Sequence, residues 1–456
     1  MPTCCNPMPR QRRWSARRSW RRPCCPSAAR RPGRPVAREL SLALQELGAA
    51  DRLAFYRHLA ENFLPEEDRL RRAAEAYLAD ATPEHAAQLA EAADPTRQEL
   101  LRRINMAPGG TASLVAMQRE LLDHLRAEPS LKPLDSDLRH LLGSWFNRGF
   151  LELRRIDWQT PAAVLEKLIT YEAVHEIAGW SDLRRRLAPD RRCFGFFHPA
   201  LPGDPLIFVE VALTQGLASS VQPLLAGDGD ERAERAREAG ADTAIFYSIS
   251  NCQDGLRGVS FGNFLIKQVV AELKAELPGL VRFSTLSPVP GFRRWLGKRL
   301  AGADVRRDDE VAALRLAAGE GSAEGDPAAL FRGLLGRERW WEDAPLAEAL
   351  QAPLTRLCAA YLTDPGEGGR PDPVAHFHLG NGARLERVNW LGNVAPRGIE
   401  ESYGTMVNYL YDPEQIEANH EAFVRGVVVR SAAVDVLLAP ARPAAAPVVP
   451  CRSRKT

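Results

Sequence analysis

The sequence contains no run of about 18 uninterrupted apolar residues, the length that a membrane-spanning helix requires. An apolar stretch near the C-terminus, residues 432–450, is interrupted by Asp435, Arg442 and several prolines. With 45% hydrophobic and 26% charged residues, the composition is that of an average globular protein. We therefore expect a chain of 456 residues that folds into two or three domains without a membrane partner.

Cysteine and lysine are both scarce. Five of the eight cysteines lie in the terminal segments, and three lie in the body of the chain: Cys193, Cys252 and Cys358. No C-x-x-C pair occurs among these three, so neither a disulfide framework nor a zinc site is indicated, and buried thiols are favoured. Six lysines stand against 54 arginines, which with abundant alanine, glycine and proline is typical of a GC-rich genome. These features favour a bacterial cytoplasmic protein.

Acidic residues are absent from residues 1–35, which contain ten arginines and seven prolines. Such a segment has little that can pack, so we expect a disordered basic extension, or a misplaced start codon, rather than a targeting signal. The C-terminal segment, residues 431–456, carries a formal charge of +3 and is expected to be a disordered tail. The body, residues 36–430, is left with a formal charge of −11. An acidic body argues against a nucleic-acid partner.

Residues 36–147 are predicted to form a helical domain. Apolar residues such as Leu53, Tyr56, Leu59 and Phe63 recur at steps of three and four, and prolines mark the breaks between helices. No cluster of chemically active side chains occurs there. A module of this kind more often assembles a protein than catalyses a reaction.

The catalytic domain is predicted to span residues 148–430, and its centre is the stretch from Thr243 to Phe292. An apolar strand at 243–250 is followed by a glycine-containing loop, an amphipathic helix near 263–277 and a second strand at 281–287. The loop therefore precedes a helix N-terminus, where backbone N–H groups can hold a phosphate. An ordinary α/β connection is the alternative interpretation.

The loop matches neither the dinucleotide fingerprint G-x-G-x-x-G nor the phosphate loop that ends in a lysine. Residues 257–262, RGVSFG, resemble instead the R/Q-x-x-G-x-G/A pyrophosphate loop of the GNAT superfamily of acyl-CoA-using enzymes. Ser260 stands where that pattern has its first glycine.

A second informative stretch covers residues 372–411. His376 and His378 alternate around Phe377 in a strand-like run, and residues 400–411 and 412–424 are predicted to be closing helices. Two histidines with only Asp372 nearby as a third ligand do not favour a metal site.

Several separated motifs together resemble the malonyl-CoA decarboxylase family. They are SISNCQDGLRGVSFGNFLIKQVV at 248–270, FSTLSPVPGF at 283–292, DPVAHFHLGNGA at 372–383 and RGIEESYGTMVNYLY at 397–411. A further segment, residues 172–214, carries the same resemblance. It covers about residues 36–430 and leaves both termini uncovered.

The resemblance implies an α+β fold, in which an N-terminal all-α helical bundle precedes a GNAT-like mixed-sheet α/β catalytic domain. It also implies a homo-oligomer, a dimer or a tetramer, built through the helical domain. By position, Ser287 and His378 resemble the catalytic serine and histidine of the family. The segment that resembles its acyl-CoA binding loop consists of Arg257, Gly258, Val259, Ser260, Phe261, Gly262 and Asn263. Animal members have a glutamate at the position of Ser260, so a role for that acid does not transfer.

The implied reaction converts malonyl-CoA to acetyl-CoA and carbon dioxide without a cofactor, since coenzyme A is part of the substrate. A hydroxyl from Ser287 and a histidine with a near-neutral pKa, His378, suit enolate stabilisation and protonation of C2. His376 remains an alternative to His378. An acyltransferase that uses the same loop and a non-catalytic acyl-CoA sensor remain as alternative functions.

Overall fold

The computed structural model describes residues 33–227, 229–259, 265–302, 308–319, 326–364 and 371–439. Residues 1–32 of the predicted basic extension lie outside this range, as do residues 440–456 of the predicted tail. The first helix that the structure describes begins at Gly33, just before the boundary predicted at residue 36.

The N-terminal region is helical as predicted. Its helices are α1 (Gly33–Gln45), α2 (Ala49–Asn62), α3 (Glu67–Ala79), α4 (Pro83–Ala93), α5 (Thr96–Asn105), α6 (Gly110–His124) and α7 (Lys132–Trp145). Helix α4 illustrates how the sequence sets a boundary, because the Thr82 hydroxyl accepts a hydrogen bond from the His85 N–H and Pro83 occupies the first helical position. Leu59, Leu101 and Leu121 are among the fully buried side chains of this region.

The strands form one sheet among the described residues. They are β1 (Glu152–Ile156), β2 (Arg191–Phe197), β3 (Pro205–Thr214), β4 (Thr243–Asn251), β5 (Arg282–Thr285), β6 (Ser287–Pro288), β7 (Arg384–Asn389) and β8 (Met406–Leu410). Their order is β1-β2-β3-β4-β5-β8-β6, and β7 also pairs with β8. Strands β4 and β5 run parallel, whereas β8 is antiparallel to β5, β6 and β7. A helical N-terminal region followed by a mixed-sheet α/β region confirms the predicted fold class.

Further helices connect and follow the strands. They are α8 (Ala162–Tyr171), α9 (Trp180–Arg186), α10 (Gln222–Leu225), α11 (Glu231–Ala239), α12 (Leu265–Glu276), α13 (Phe292–Gly302), α14 (Asp308–Ala318), α15 (Pro327–Leu335), α16 (Ala344–Thr363), α17 (Pro373–Gly380), α18 (Pro396–Ser402), α19 (Ile416–Val424) and α20 (Ala432–Leu438). None of the helices that the structure describes is both long enough and apolar enough to span a membrane.

The chain divides into two compact units. The first comprises Met1–Ile177, Phe194–Phe208 and Ser250–Leu265, and the second comprises Ala178–Cys193, Val209–Ile249 and Ile266–Thr456. The predicted boundary between residues 147 and 148 stays a prediction. Within the first unit, a Cβ added to Gly255 would come within 2.0 Å of the carbonyl oxygen of Val115 on α6.

Two predictions for the chain beyond residue 399 are wrong. Residues 400–411 were expected to be helical, but β8 occupies Met406–Leu410, and all but the last of its residues are buried. Residues 431–439 were expected to be part of a disordered tail, but helix α20 forms there. The Ser431 hydroxyl accepts a hydrogen bond from the Val434 N–H, and the Val434 side chain is buried, so the segment has both a cap and a packing contact.

The second unit buries a pair of opposite charges, one of them on a strand of the sheet. Arg186, at the end of α9, donates from Nη1 to Oε2 of Glu210 on β3 at 2.9 Å, and both side chains are almost fully inaccessible. The Arg186 guanidinium also lies 5.8 Å from the ring centroid of Tyr247 on β4. A more exposed carboxylate, Asp182, contacts Arg186 at 3.4 Å.

We expect Glu210→Gln to lower the free energy of unfolding by about 3 kcal/mol, because the guanidinium of Arg186 stays buried after its closest carboxylate is neutralised. Urea denaturation measures the change. Glu231→Gln is the matched control, since it removes the charge from the exposed ion pair with Arg235 and should cost less than about 0.5 kcal/mol. Equal effects of the two substitutions would contradict the expectation.

Candidate active site

Ser287 begins the two-residue strand β6 and lies opposite Val407 of β8 in an antiparallel pair. The predicted strand 281–287 is divided in the structure, because β5 ends at Thr285 and the buried Leu286 separates it from β6. The Ser287 residue is 5% exposed. Pairing with β8 therefore fixes Ser287 at the first position of β6 rather than at the end of one continuous strand.

His378 lies in the last turn of α17, so the strand-like interpretation of this stretch is wrong. The helix forms because the Asp372 carboxylate caps it and Pro373 takes its first position. Residues two positions apart on a helix do not share a face. His376 is accordingly exposed whereas His378 is buried, and the two histidines do not converge on one point.

A chain of hydrogen bonds joins the serine and the histidine to two further side chains. Ser287 Oγ lies 3.1 Å from His378 Nε2 and 2.9 Å from Thr285 Oγ1. On the other side of the ring, His378 Nδ1 lies 2.8 Å from Tyr411 Oη. The Tyr409 N–H donates to Thr285 Oγ1 at 3.1 Å, and the Tyr409 ring stacks on the imidazole at a centroid distance of 4.8 Å. Both imidazole nitrogens therefore have polar partners, and one face of the ring is covered.

Burial keeps this network uncharged. It lowers the pKa of His378 to about 3, because the imidazolium form is penalised away from water. Burial likewise raises the pKa of Tyr411 well above its usual value, so its phenol stays protonated. The expectation of a near-neutral histidine pKa is therefore wrong, and the cause is that the ring is enclosed away from water.

The Asp372 carboxylate contacts both elements that carry the pair. One oxygen, Oδ1, accepts from the Val374 and Ala375 N–H groups of α17, and Oδ2 accepts from the Gly291 N–H at 3.0 Å, in the turn that follows β6. Burial raises the pKa of this carboxyl, and the N–H donors, that of Gly291 first, oppose the rise.

Thr285, Tyr411 and Asp372 were not predicted to take part in the site. Thr285 could have been found from the sequence, since it lies two positions before Ser287 and residues two apart on an extended chain point to the same face. Asp372 could have been found also, because aspartate followed by proline is typical of a helix start. Tyr411 could not, because only the pairing of β8 brings it to His378.

The predicted acyl-CoA loop, residues 257–263, is described in part. Arg257, Gly258 and Val259 are described, whereas the remaining members lie outside the described residues: Ser260, Phe261, Gly262 and Asn263. The Val259 N–H donates to the Leu256 carbonyl at 3.0 Å, and Gly258 has φ +84°, which gives a type II turn. The exposed Arg257 pairs with Asp254 at 2.9 Å.

The helical region packs beside this turn within the first unit. A Cβ on Gly258 would come within 2.9 Å of Nη1 of Arg139 on α7. The left-handed conformation of Gly258 favours glycine at this position, whereas the flexible Arg139 side chain can shift to make room for a Cβ.

The three cysteines of the body are all buried free thiols. Burial raises the pKa of Cys252 and of Cys358, which disfavours the thiolate form that a nucleophile needs. Within the described part of the chain, no group of three or more histidine, cysteine, aspartate or glutamate side chains is arranged to hold a metal ion.

Two family models match the chain. The malonyl-CoA decarboxylase C-terminal domain matches residues 149–447, and the malonyl-CoA decarboxylase N-terminal domain matches residues 63–146. The first of these alone covers more than half of the sequence.

Curated relatives carry the same family name. The chain is 40% identical over 337 residues to the mitochondrial malonyl-CoA decarboxylase of Anser anser anser, which covers 72% of this chain and 66% of that protein. It is 38% identical over 343 residues to the protein of the same name from Rattus norvegicus, which covers 72% of this chain and 68% of that protein. The chain thus spans about two thirds of the length of these relatives.

Solved structures are similar over nearly the whole chain. The crystal structure of malonyl-CoA decarboxylase from Rhodopseudomonas palustris has 46% sequence identity and a TM-score of 0.80, and the match covers 94% of this chain and 99% of that one. The corresponding structure from Agrobacterium vitis has 47% identity and a TM-score of 0.79, with 94% and 98% covered. The motifs, the family models and these similarities agree, and the chain belongs to the malonyl-CoA decarboxylase family.

Proposed function

We propose that this member of the malonyl-CoA decarboxylase family converts malonyl-CoA and a proton to acetyl-CoA and carbon dioxide, with Ser287 and His378 acting on the malonyl group. The observation that carries the assignment of residues is the 3.1 Å contact between Ser287 Oγ and His378 Nε2 inside a buried, uncharged network. The two residues come from distant motifs that each resemble the family.

The chemistry explains why such a network suits this substrate. Malonyl-CoA has a carboxylate β to a thioester carbonyl, so cleavage of the bond between C2 and the carboxyl carbon leaves an enolate that the thioester delocalises. The thioester itself serves as the electron sink, and the proposal needs no metal or organic cofactor. The protein has to stabilise the growing charge on the thioester oxygen, exclude water from the departing carboxylate and deliver one proton to C2.

The Ser287 hydroxyl supplies a hydrogen-bond donor for the carboxylate or the enolate oxygen. When the Tyr411 hydroxyl donates a hydrogen bond to Nδ1 of His378, the neutral imidazole carries its proton on Nε2. This tautomer of His378 can supply the proton to the substrate. An enolate is a far stronger base than an imidazolate or a phenolate. Nε2–H can therefore protonate C2, directly or through the Ser287 hydroxyl, while the Tyr411 proton moves to Nδ1. A proton from solvent then restores Tyr411, so the balance of one proton consumed is met.

Residues 257–263 are proposed to hold the diphosphate of the coenzyme A moiety. The type II turn at Gly258 and the exposed Arg257 guanidinium support this proposal, since backbone N–H groups and a cation both suit an anionic ligand. Assembly into homo-oligomers through the helical region and a cytoplasmic location stay predictions.

Ser287→Ala and His378→Ala should each lower kcat for malonyl-CoA by about 100-fold or more, because each removes a group that acts in the transition state. Release of carbon dioxide and formation of acetyl-CoA measure the reaction, and thermal unfolding checks the fold. His376→Ala, an exposed histidine of the same helix, is the matched control and should stay within about 2-fold of the parent. A folded parent that binds malonyl-CoA without turnover would instead favour a transferase or a sensor.

Tyr411→Phe should lower kcat by about 10-fold or more and change KM little, because the phenyl ring cannot donate a proton to His378 Nδ1. Steady-state kinetics with malonyl-CoA measure both constants. An unchanged kcat in the folded variant would remove Tyr411 from the proton path.

The pH dependence of kcat/KM should carry no inflection from His378. Because burial lowers the pKa of His378 to about 3, the free protein holds a neutral imidazole throughout pH 5 to 8. The ratio of kcat/KM between the parent and His378→Gln should therefore stay constant across this range. A ratio that changes about tenfold with a midpoint near 6.5, the usual histidine pKa, would contradict a buried neutral ring.

A further inference from the structure

The Asp372 carboxylate uses its two oxygens in different directions. Oδ1 accepts from the N–H groups of Val374 at 3.0 Å and Ala375 at 3.2 Å, which is the capping interaction of a helix N-terminus. Oδ2 accepts from the Gly291 N–H at 3.0 Å and from Tyr361 Oη at 3.4 Å. The residue is 2% exposed, so all four contacts are sheltered from water.

These contacts connect two elements that are far apart in the sequence. Gly291 follows β6 and the reacting serine, whereas Asp372 begins the helix whose last turn holds His378. The approach of the turn is too close for any side chain. A Cβ on Gly291 would lie 2.0 Å from Tyr361 Oη and 3.1 Å from Asp372 Oδ2. The turn therefore lies against both the Tyr361 hydroxyl and the Asp372 carboxylate, and the hydroxyl is the closer of the two.

We propose that Asp372 is a positioning residue, which holds the turn after Ser287 and the helix of His378 at the spacing that lets Ser287 Oγ and His378 Nε2 meet. Its role in turnover rests on the proposed decarboxylation, whereas its role in geometry does not. A hydrogen bond from the carboxylate to the backbone of each element is a stiff connection, because neither donor belongs to a flexible side chain. Misplacement of reacting groups by about 1 Å can cost on the order of 100-fold in rate.

The chain contains a natural control for the simpler role of a helix cap. Asp326 precedes Pro327 at the start of α15, and its carboxylate accepts from the N–H groups of Ala328 and Ala329, in the same pattern as Asp372 before Pro373. The Asp326 side chain is 56% exposed. A comparison of the two aspartates separates capping from positioning.

Asp372→Asn tests the proposal. Asparagine caps a helix as well as aspartate does, but its amide has only one acceptor oxygen, so it cannot accept from both α17 and Gly291. We expect kcat to fall by about 10-fold to 100-fold, with KM for malonyl-CoA within about 3-fold of the parent. Asp372→Ser, which caps but is too short to reach Gly291, should show the same loss, and Asp326→Asn should leave both constants within about 2-fold. A parent-like kcat in Asp372→Asn and Asp372→Ser would reduce Asp372 to a cap and overturn the proposal.

A second measurement is independent of turnover. In the parent, burial shields His378 from diethyl pyrocarbonate, which modifies accessible neutral imidazoles, and peptide mass mapping resolves the modified site. We expect modification of His378 to be at least about 5-fold faster in Asp372→Asn than in the parent, and unchanged in Asp326→Asn, because only the former releases the helix from the turn. If the parent fails to decarboxylate malonyl-CoA, the proposed function fails, and this rate still decides the positioning role. Equal rates in the parent and in Asp372→Asn would overturn it.

Discussion

The candidate site depends on one constraint, which is that polar side chains removed from water have to satisfy one another. Thr285, Ser287, His378 and Tyr411 are all almost fully buried, and each finds its hydrogen-bond partner in the next. Since none of them is charged, the series can sit inside the protein without an ion to neutralise it. A buried network of this kind is stable only when every member is in place, so the surrounding strands have to hold a fixed register.

The two faces of β8 show how that register is held. Tyr409 contributes its N–H to Thr285 and its ring to His378, while the neighbouring Asn408 makes its contacts separately. The Asn408 amide donates to the Thr285 carbonyl at 2.7 Å and to the Ala218 carbonyl at 3.1 Å, and its oxygen accepts from Asn389 at 2.9 Å. A shift of β8 by one residue would exchange these two faces. The Asn408 amide would then lie against the His378 imidazole, in the place of the Tyr409 ring that stacks on it.

Much of the fold and part of the site can be predicted from the sequence, for identifiable reasons. The N-terminal helices show regular three- and four-residue spacing, and the motifs around Ser287 and His378 carry the resemblance to the family. The strand β8 was not predicted, because a strand buried on both faces lacks the alternation of apolar and polar residues by which strands are recognised. The lowered pKa of His378 could not be predicted either, since it depends on enclosure by residues such as Tyr409 that adjoin the ring only after folding.

The position of β8 along the chain also determines when the site can exist during biosynthesis. The serine and the histidine are both translated before Met406–Leu410, the strand that pairs with β6 and brings Tyr409 and Tyr411 to the imidazole. A nascent chain that has not yet extended past Tyr411 contains Ser287 and His378 but lacks the strand and the two tyrosines that bury them. The buried network is thus assembled near the end of translation. Until then, strands β5, β6 and β7 lack their common partner, and their unpaired edges are the kind of surface that chaperones bind.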